Sequence, residues 1–350
     1  MASRFFLRGG GNYAYVNARV RAKRAALLPA EEYPKLLLRD ANEVARFLQE
    51  GSYKAEIDEL AGRFRGAELV ERATRLKLGR VYSQVLGFAT GELQVMIAQY
   101  LGRYDASNVK TILRGKFARA RPEEILAETV PTGMLVDRLD ELCRLDSIEA
   151  VVDALQGTPW GKVLAAQTEG RTTSNLVAIE NALDKAYYES LVASIPTSGA
   201  ANRAFLEWAR NEIDVVNLKT LFRLRFAGVS DWEPYFLDEG REVARETAQR
   251  IVRGSDDEVL QELGNLSLGA AVVDAARASL AARNVSAVAT ALDKELLRDA
   301  DDFSHRAPLS VLPVIDFILR KRIEADNLRA IAYGKQTGLP NATIEELLNL

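Results

Sequence analysis

The carboxylates of this chain that could do chemistry fall in two short clusters, Asp256-Asp257-Glu258 and Asp299, Asp301 and Asp302. Such clusters hold Mg2+ when two carboxylate-rich turns face each other in a deep pocket. The spacing here is loose. Acids at a helix start explain Asp256 and Asp257 without a metal, because a helix N-terminus carries partial positive charge. Other reactive side chains are scarce. His305 is the one histidine, so no histidine pair exists to ligate zinc. Cys143 is the one cysteine, and among Leu142, Leu145 and Ile148 it reads as a small core hydrophobe. Gly157-Thr158-Pro159-Trp160-Gly161-Lys162-Val163 has the glycines and lysine of a phosphate loop. It has three residues between the glycines instead of four, no Ser or Thr after the lysine, and no strand before it. Gly9-Gly10-Gly11 also lacks a preceding strand and reads as a lead-in. The expectation is a chain without catalytic residues, cofactor or metal.

The basic residues are more regular than the acids. They are keyed to a phrase that occurs three times: Asp105-Ala106-Ser107-Asn108-Val109-Lys110-Thr111-Ile112, Asp214-Val215-Val216-Asn217-Leu218-Lys219-Thr220-Leu221, and Glu324-Ala325-Asp326-Asn327-Leu328-Arg329-Ala330-Ile331. Asn108, Asn217 and Asn327 are 109 and 110 residues apart. Lys110, Lys219 and Arg329 stand two residues after the asparagines, and Lys116, Arg225 and Lys335 eight after. Arg114 and Arg223 add to the first two copies. One reading is a solvated face with cations near helix C-termini. The other is a ring of positive charge, one contribution per copy, that meets an acidic partner. Each asparagine falls in the apolar stripe of its helix, where an unbonded amide costs about 1–3 kcal/mol. It is therefore expected to bond a neighbouring backbone or side chain and to fix helix register.

The elements that position these residues are helices. Ile315, Leu319, Ile323, Asn327 and Ile331 recur every fourth residue and line one face. Leu206, Ala209, Ile213, Asn217, Leu221 and Leu224 do the same in the second copy, and Ile97, Leu101, Tyr104, Asn108 and Ile112 in the first. No alternating β-branched runs or Asn-Gly and Asp-Gly hairpin signals appear. The fold class is all-α. Other landmarks share the period. Ala182-Leu183-Asp184-Lys185 returns 109 residues later as Ala291-Leu292-Asp293-Lys294, and Asp40-Ala41-Asn42-Glu43 is echoed at Asp146-Ser147-Ile148-Glu149 and Gly254-Ser255-Asp256-Asp257-Glu258. A period this long exceeds the 20–50 residues of a solenoid unit, so it marks a helical domain copied twice. Counting back from the chain end gives a lead-in at 1–21 and repeats at 22–131, 132–240 and 241–350. Residues 169–174 and 196–199 read as loops.

Composition narrows the partners. A net charge of −3 predicts no pull toward nucleic acid. A single cysteine suits a reducing compartment. No apolar run approaches the roughly 18 residues of a membrane span, so direct membrane insertion is not expected.

Two stretches add specificity: Asn12-Tyr13-Ala14-Tyr15-Val16-Asn17-Ala18-Arg19-Val20-Arg21-Ala22, and Tyr104 through Lys116 around the first asparagine. With the triplicated helical plan, they resemble the C subunit of archaeal-type and vacuolar-type rotary ATPases and ATP synthases, whose eukaryotic relative is the d subunit of the vacuolar ATPase. The resemblance implies a pseudo-threefold funnel of three similar helical domains, free of catalytic residues. It implies a central-stalk rotor component at the cytoplasmic face of the cell membrane. One end would sit on the membrane rotor ring of proteolipid subunits, which transports protons or sodium, and the other would receive the central shaft built from the D and F subunits. The competing expectations are a generic helical scaffold and a Mg2+-dependent prenyl-chain enzyme.

Overall fold

The computed structural model describes residues 11–168 and 176–349, and no strand occurs among them. Residues 1–10, including Gly9 and Gly10, and the loop expected at 169–174 lie outside the described residues. The chain opens with α1 (Tyr13–Arg24), followed by α2 (Tyr33–Leu36), α3 (Ala41–Glu50), α4 (Lys54–Leu60) and α5 (Gly66–Phe88). The long helix α6 (Gly91–Phe117) leads into α7 (Pro122–Glu128), α8 (Leu139–Arg144), α9 (Ile148–Ala154), α10 (Pro159–Thr168) and α11 (Leu176–Ser194). A second long helix, α12 (Ala200–Ala227), precedes α13 (Arg245–Arg253), α14 (Asp256–Asn265), α15 (Ala270–Ala282) and α16 (Ser286–Arg306). The third, α17 (Leu312–Gln336), is followed by the short α18 (Asn341–Glu346).

Local sequence explains where these helices start and stop. Asp40, Ser147 and Ser255 cap α3, α9 and α14 through side-chain oxygens that accept backbone N–H groups of the first turn. Each such cap stabilises its helix by about 1 kcal/mol. All three lie in the echoed Asp40, Ser147 and Ser255 phrases, so that landmark has one physical job. The long helices also end alike. Eleven residues after its asparagine, each reaches a residue in the left-handed region: Arg119 at φ 55°, Gly228 at 69° and Gly338 at 74°. The next residue then closes the end, with Ala120, Val229 and Leu339 donating N–H bonds to the carbonyls of Gly115, Leu224 and Gly334.

The long helices carry the apolar stripes and collect the rest of the chain around them. Helix α6 packs on α11, α12 on α16, and α17 on α5. The last of these pairs joins the two ends of the sequence. One large core runs from Val16 to Ala325. A second, separate core joins Tyr33, Leu36, Val44, Tyr53 and Val70 to Leu328, Ile331, Ile344 and Leu348. The chain is thus closed on itself by apolar contact between its beginning and its end. Tyr82 adds a 3.0 Å bond to the Ile318 carbonyl, and Asn17 donates to the Pro308 and Ser310 carbonyls at 2.8 and 3.1 Å.

Candidate functional site

All three asparagines are at most 2% exposed, and all make the same pair of bonds. The Asn108 amide donates to the Val130 carbonyl at 2.8 Å and accepts the Val130 N–H at 2.9 Å. Asn217 clamps Leu237 at 2.8 and 3.0 Å, and Asn327 clamps Asn349 at 2.9 Å both ways. A side-chain amide has the donor and acceptor of a peptide group, so it can satisfy both backbone groups of one residue in a loop. The clamp therefore ties each long helix to the chain that leaves it.

Three residues earlier in each copy sits an acid for which no role was expected. Asp105 accepts the N–H groups of Met134 and Leu135, both at 2.9 Å. Asp214 accepts those of Arg241, Glu242 and Val243 at 3.0, 2.7 and 3.2 Å. Glu324 accepts the Leu28 N–H at 2.7 Å, reaching back to the start of the chain. Burial pushes the Asp105 carboxyl up to about 6, against the opposing pull of its two N–H donors, and raises Asp214 likewise. The acid before each asparagine was visible in the repeated phrase. Its repetition was the signal that could have identified it.

The basic set engages groups of this chain. Lys110 pairs with Asp184 at 2.6 Å and Lys219 with Asp293, so the Asn-centred phrase and the Ala-Leu-Asp-Lys phrase meet in two copies. Arg114 forms a two-point pair with Glu180 at 2.6 and 2.5 Å. Lys116 donates to the Cys143 carbonyl, and Arg225 to the carbonyls of Ile251 and Gly254 and to Asp256. In the third copy Arg329 turns to Asp326 and Lys335 to Asn341. Arg223 is exposed, and the Arg114 side chain keeps 61% of its surface in solvent.

A central polar cluster was not foreseen from the sequence. Five residues before the asparagines stand Arg103, Glu212 and Arg322, and the fold brings them together from α6, α12 and α17. Arg103 holds both Glu212 oxygens, at 2.7 and 2.8 Å, and donates to the Tyr187 hydroxyl at 2.9 Å. Its guanidinium stacks 3.8 Å from the centre of the Tyr100 ring. Arg322 lies within electrostatic reach of Arg103, Glu212, Tyr100 and Tyr104. Beside this cluster is a cavity of about 280 Å3, lined in part by Tyr188, Glu212, Lys219, Asp293, Arg322 and Asp326. The equal spacing of the three charges was legible, but their alternation of sign hid them from a search for repeated residue types.

Several side chains of the two acidic clusters have structural partners. Asp256 is held by Arg225, Asp299 accepts from Asn211 at 3.2 Å, and Asp301 is bracketed by Arg24 and Arg320 at 2.6 and 2.9 Å. His305 Nδ1 lies 2.8 Å from the Asp301 carbonyl oxygen. Burial pushes the Cys143 thiol up to about 11, which keeps it protonated and unreactive. Gly157 turns the chain between α9 and α10, where the Thr158 hydroxyl accepts the Gly161 N–H. Among the described residues, no group of three or more His, Cys, Asp or Glu is gathered as a metal site. Among the same residues, no helix is long and apolar enough to cross a membrane.

Comparison with known proteins extends over the whole architecture. A family model described as ATP synthase (C/AC39) subunit matches residues 16–347. The C subunit of the A-type ATP synthase of Haloferax volcanii is 38% identical over 347 residues, covering 98% of this chain and 99% of that protein. Its counterpart in Methanosarcina acetivorans is 36% identical over 346 residues, covering 97% and 94%. That of Halobacterium salinarum is 37% identical over 344 residues, covering 96% and 97%.

Proposed function

The chain belongs to the ATP synthase (C/AC39) subunit family, with full-length likeness to the C subunit of A-type ATP synthases, and from that premise we propose that it is the rotor socket of the central stalk. In this reading it couples the central shaft, built from the D and F subunits, to the proteolipid ring that carries protons or sodium. It does so at the cytoplasmic face of the membrane and performs no bond chemistry. The repeats at 22–131, 132–240 and 241–350 would form a pseudo-threefold funnel, each copy contributing a long helix to a common centre.

The observation that carries the proposal is the recurrence of one construction around the chain. Three long helices bear the same asparagine clamp, and at the preceding fifth position Arg103 of the first pairs with Glu212 of the second, with Arg322 of the third within electrostatic reach. A part that passes torque must not shear internally. Close-packed helices deform little, and polar clamps with two bonds each hold register where apolar contact alone would permit sliding. The basic side chains still reachable from solvent, Arg114 and Arg223, would meet acidic groups of a partner and steer its approach.

The test is association. The purified chain is expected to bind a shaft complex of the D and F subunits, and separately a detergent-solubilised proteolipid ring. Binding to neither would return the protein to the class of helical scaffolds with other partners.

A further inference from the structure

The central cavity is charged unevenly. Of its charged lining groups, Glu212 is paired with Arg103, Lys219 with Asp293, and Asp326 with Arg329. Arg322 is half-buried, and among the described residues it has no hydrogen bond or ion pair. The reason is visible in the repeat. The equivalent positions supply two guanidinium groups and one carboxylate, and Arg103 occupies both oxygens of that carboxylate. Among the described residues, a second cation is thus held beside the first with no acid of its own. Removing charge from water without a partner is costly, so such a group favours any anion that reaches it. A guanidinium presents a planar fork of donors that matches a carboxylate at two points.

We propose that this cavity receives an acidic side chain of the protein that docks in the socket, its carboxylate pairing with Arg322. The inference rests on the socket reading above and names the contact within it. Size selects a side chain over a larger element. A helix with its side chains is about 10–12 Å across, whereas a cavity of about 280 Å3 holds one carboxylate-bearing side chain with a few waters of about 30 Å3 each. The Tyr188 ring on the wall would cover the methylenes of that side chain.

The experiment is the affinity of the D–F shaft complex for the wild-type chain, Arg322→Gln and Arg322→Lys, each first checked by thermal melting. Arg322→Gln is expected to weaken binding about 30-fold or more, in the range for truncating one partner of a desolvated charge pair. Arg322→Lys keeps the charge but loses the fork, and is expected between the two. Because Arg322 lies beside Arg103, the glutamine variant is expected to melt no lower than wild type. Equal affinity for wild type and Arg322→Gln would overturn this inference and leave the socket reading intact. A wild-type chain that binds no shaft complex overturns both. If inorganic phosphate stabilises the isolated wild type but not Arg322→Gln, while both bind the shaft complex equally, the site is a free-anion pocket and the proposal fails.

Discussion

The pairs α6–α11 and α12–α16 are each made from one continuous stretch of chain, whereas α17 takes its partner, α5, from the far end of the sequence. One contact recurs in the first and third pairs. Arg114 meets Glu180 across the first pair, and Tyr333, at the position equivalent to Arg114, meets Glu71 across the third. Glu71 and Glu180 are 109 residues apart, which is the repeat spacing. The electrostatics differ. Lys110–Asp184 and Lys219–Asp293 bridge the continuous pairs. At the corresponding place α5 carries Arg75, which pairs with Glu71 and Glu128, and Arg329 turns to its own helix. The closure is held instead by Glu324, which takes the Leu28 N–H, the Tyr53 hydroxyl at 2.6 Å and the ammonium of Lys321. A pairing between distant segments carries the larger loop-closure entropy. The contact that closes the chain is also the one with the most deeply buried charge pair.

The largest effect should therefore come from Glu324. Lys321 and Glu324 have side chains 5% and 3% exposed, and breaking a buried pair by removing one partner costs about 3–5 kcal/mol. Glu324→Gln is expected to reduce the unfolding free energy measured in urea by that amount and to split the unfolding transition, with the core shared by both chain ends melting first. Asp184→Asn, which removes a half-exposed pair partner from a continuous pair, is expected to cost about 1 kcal/mol or less. Equal costs for the two would erase the distinction between closure and continuous pairing.

Next is the clamp. Asn217→Leu leaves both the N–H and the carbonyl of Leu237 without a partner inside the protein. At about 1–3 kcal/mol per orphaned group, and with partial relaxation, about 2–4 kcal/mol is expected. Asn327→Leu should cost less, because its partner Asn349 is half-buried and its backbone groups are nearer to water than those of the buried Leu237. Denaturant unfolding of the two variants checks the order.

How much of this was legible before the fold is seen in the asparagines themselves. A polar residue at a core position of a helical stripe had to be satisfied, and the repeat said that the solution would recur. The partner, twenty or twenty-two residues away, was beyond helix periodicity because it lies in irregular chain. Caps at Asp40, Ser147 and Ser255 follow from residue type alone. The pairing of α5 with α17 does not, since a period can be cut anywhere and only tertiary packing decides which copy a helix joins. The Arg103, Glu212 and Arg322 centre was hidden for a related reason. What recurs there is a position and not a residue type, and its meaning appears only when three distant helices meet.

A smaller effect separates the carboxylates by what neutralises them. Asp105 is held by backbone N–H groups, without the lysine that Glu324 has. Its carboxyl, pushed up to about 6 by burial, binds its proton more tightly in the folded chain than in the unfolded one. The folded state then holds more protons than the unfolded state between the ordinary aspartate value and about 6. This contribution to stability is present below that window and is lost as pH rises through it. A shift of that size corresponds to about 2–3 kcal/mol at most. The stability of wild type relative to Asp105→Asn should therefore decline between about pH 4 and about pH 6, by roughly that amount. A flat difference across that range would show the two N–H bonds outweighing burial.

The smallest expected effect has the opposite sign. The second and third long helices end on Gly228 and Gly338 in the left-handed region, but the first ends on Arg119 at φ 55°. A side chain there brings Cβ against the following carbonyl, at a cost of about 1 kcal/mol that glycine avoids. Glycine returns part of this gain because it frees the unfolded chain. Arg119 is exposed, so little packing is lost on removing it. Arg119→Gly is accordingly expected to stabilise by about 0.5–1 kcal/mol, read as a rise in melting temperature, while Gly228→Ala destabilises by a similar amount. A loss of stability in Arg119→Gly would mean that this arginine contributes something its two glycine counterparts do not. The first long helix would then differ from the others at its end, as the third differs in its choice of partner.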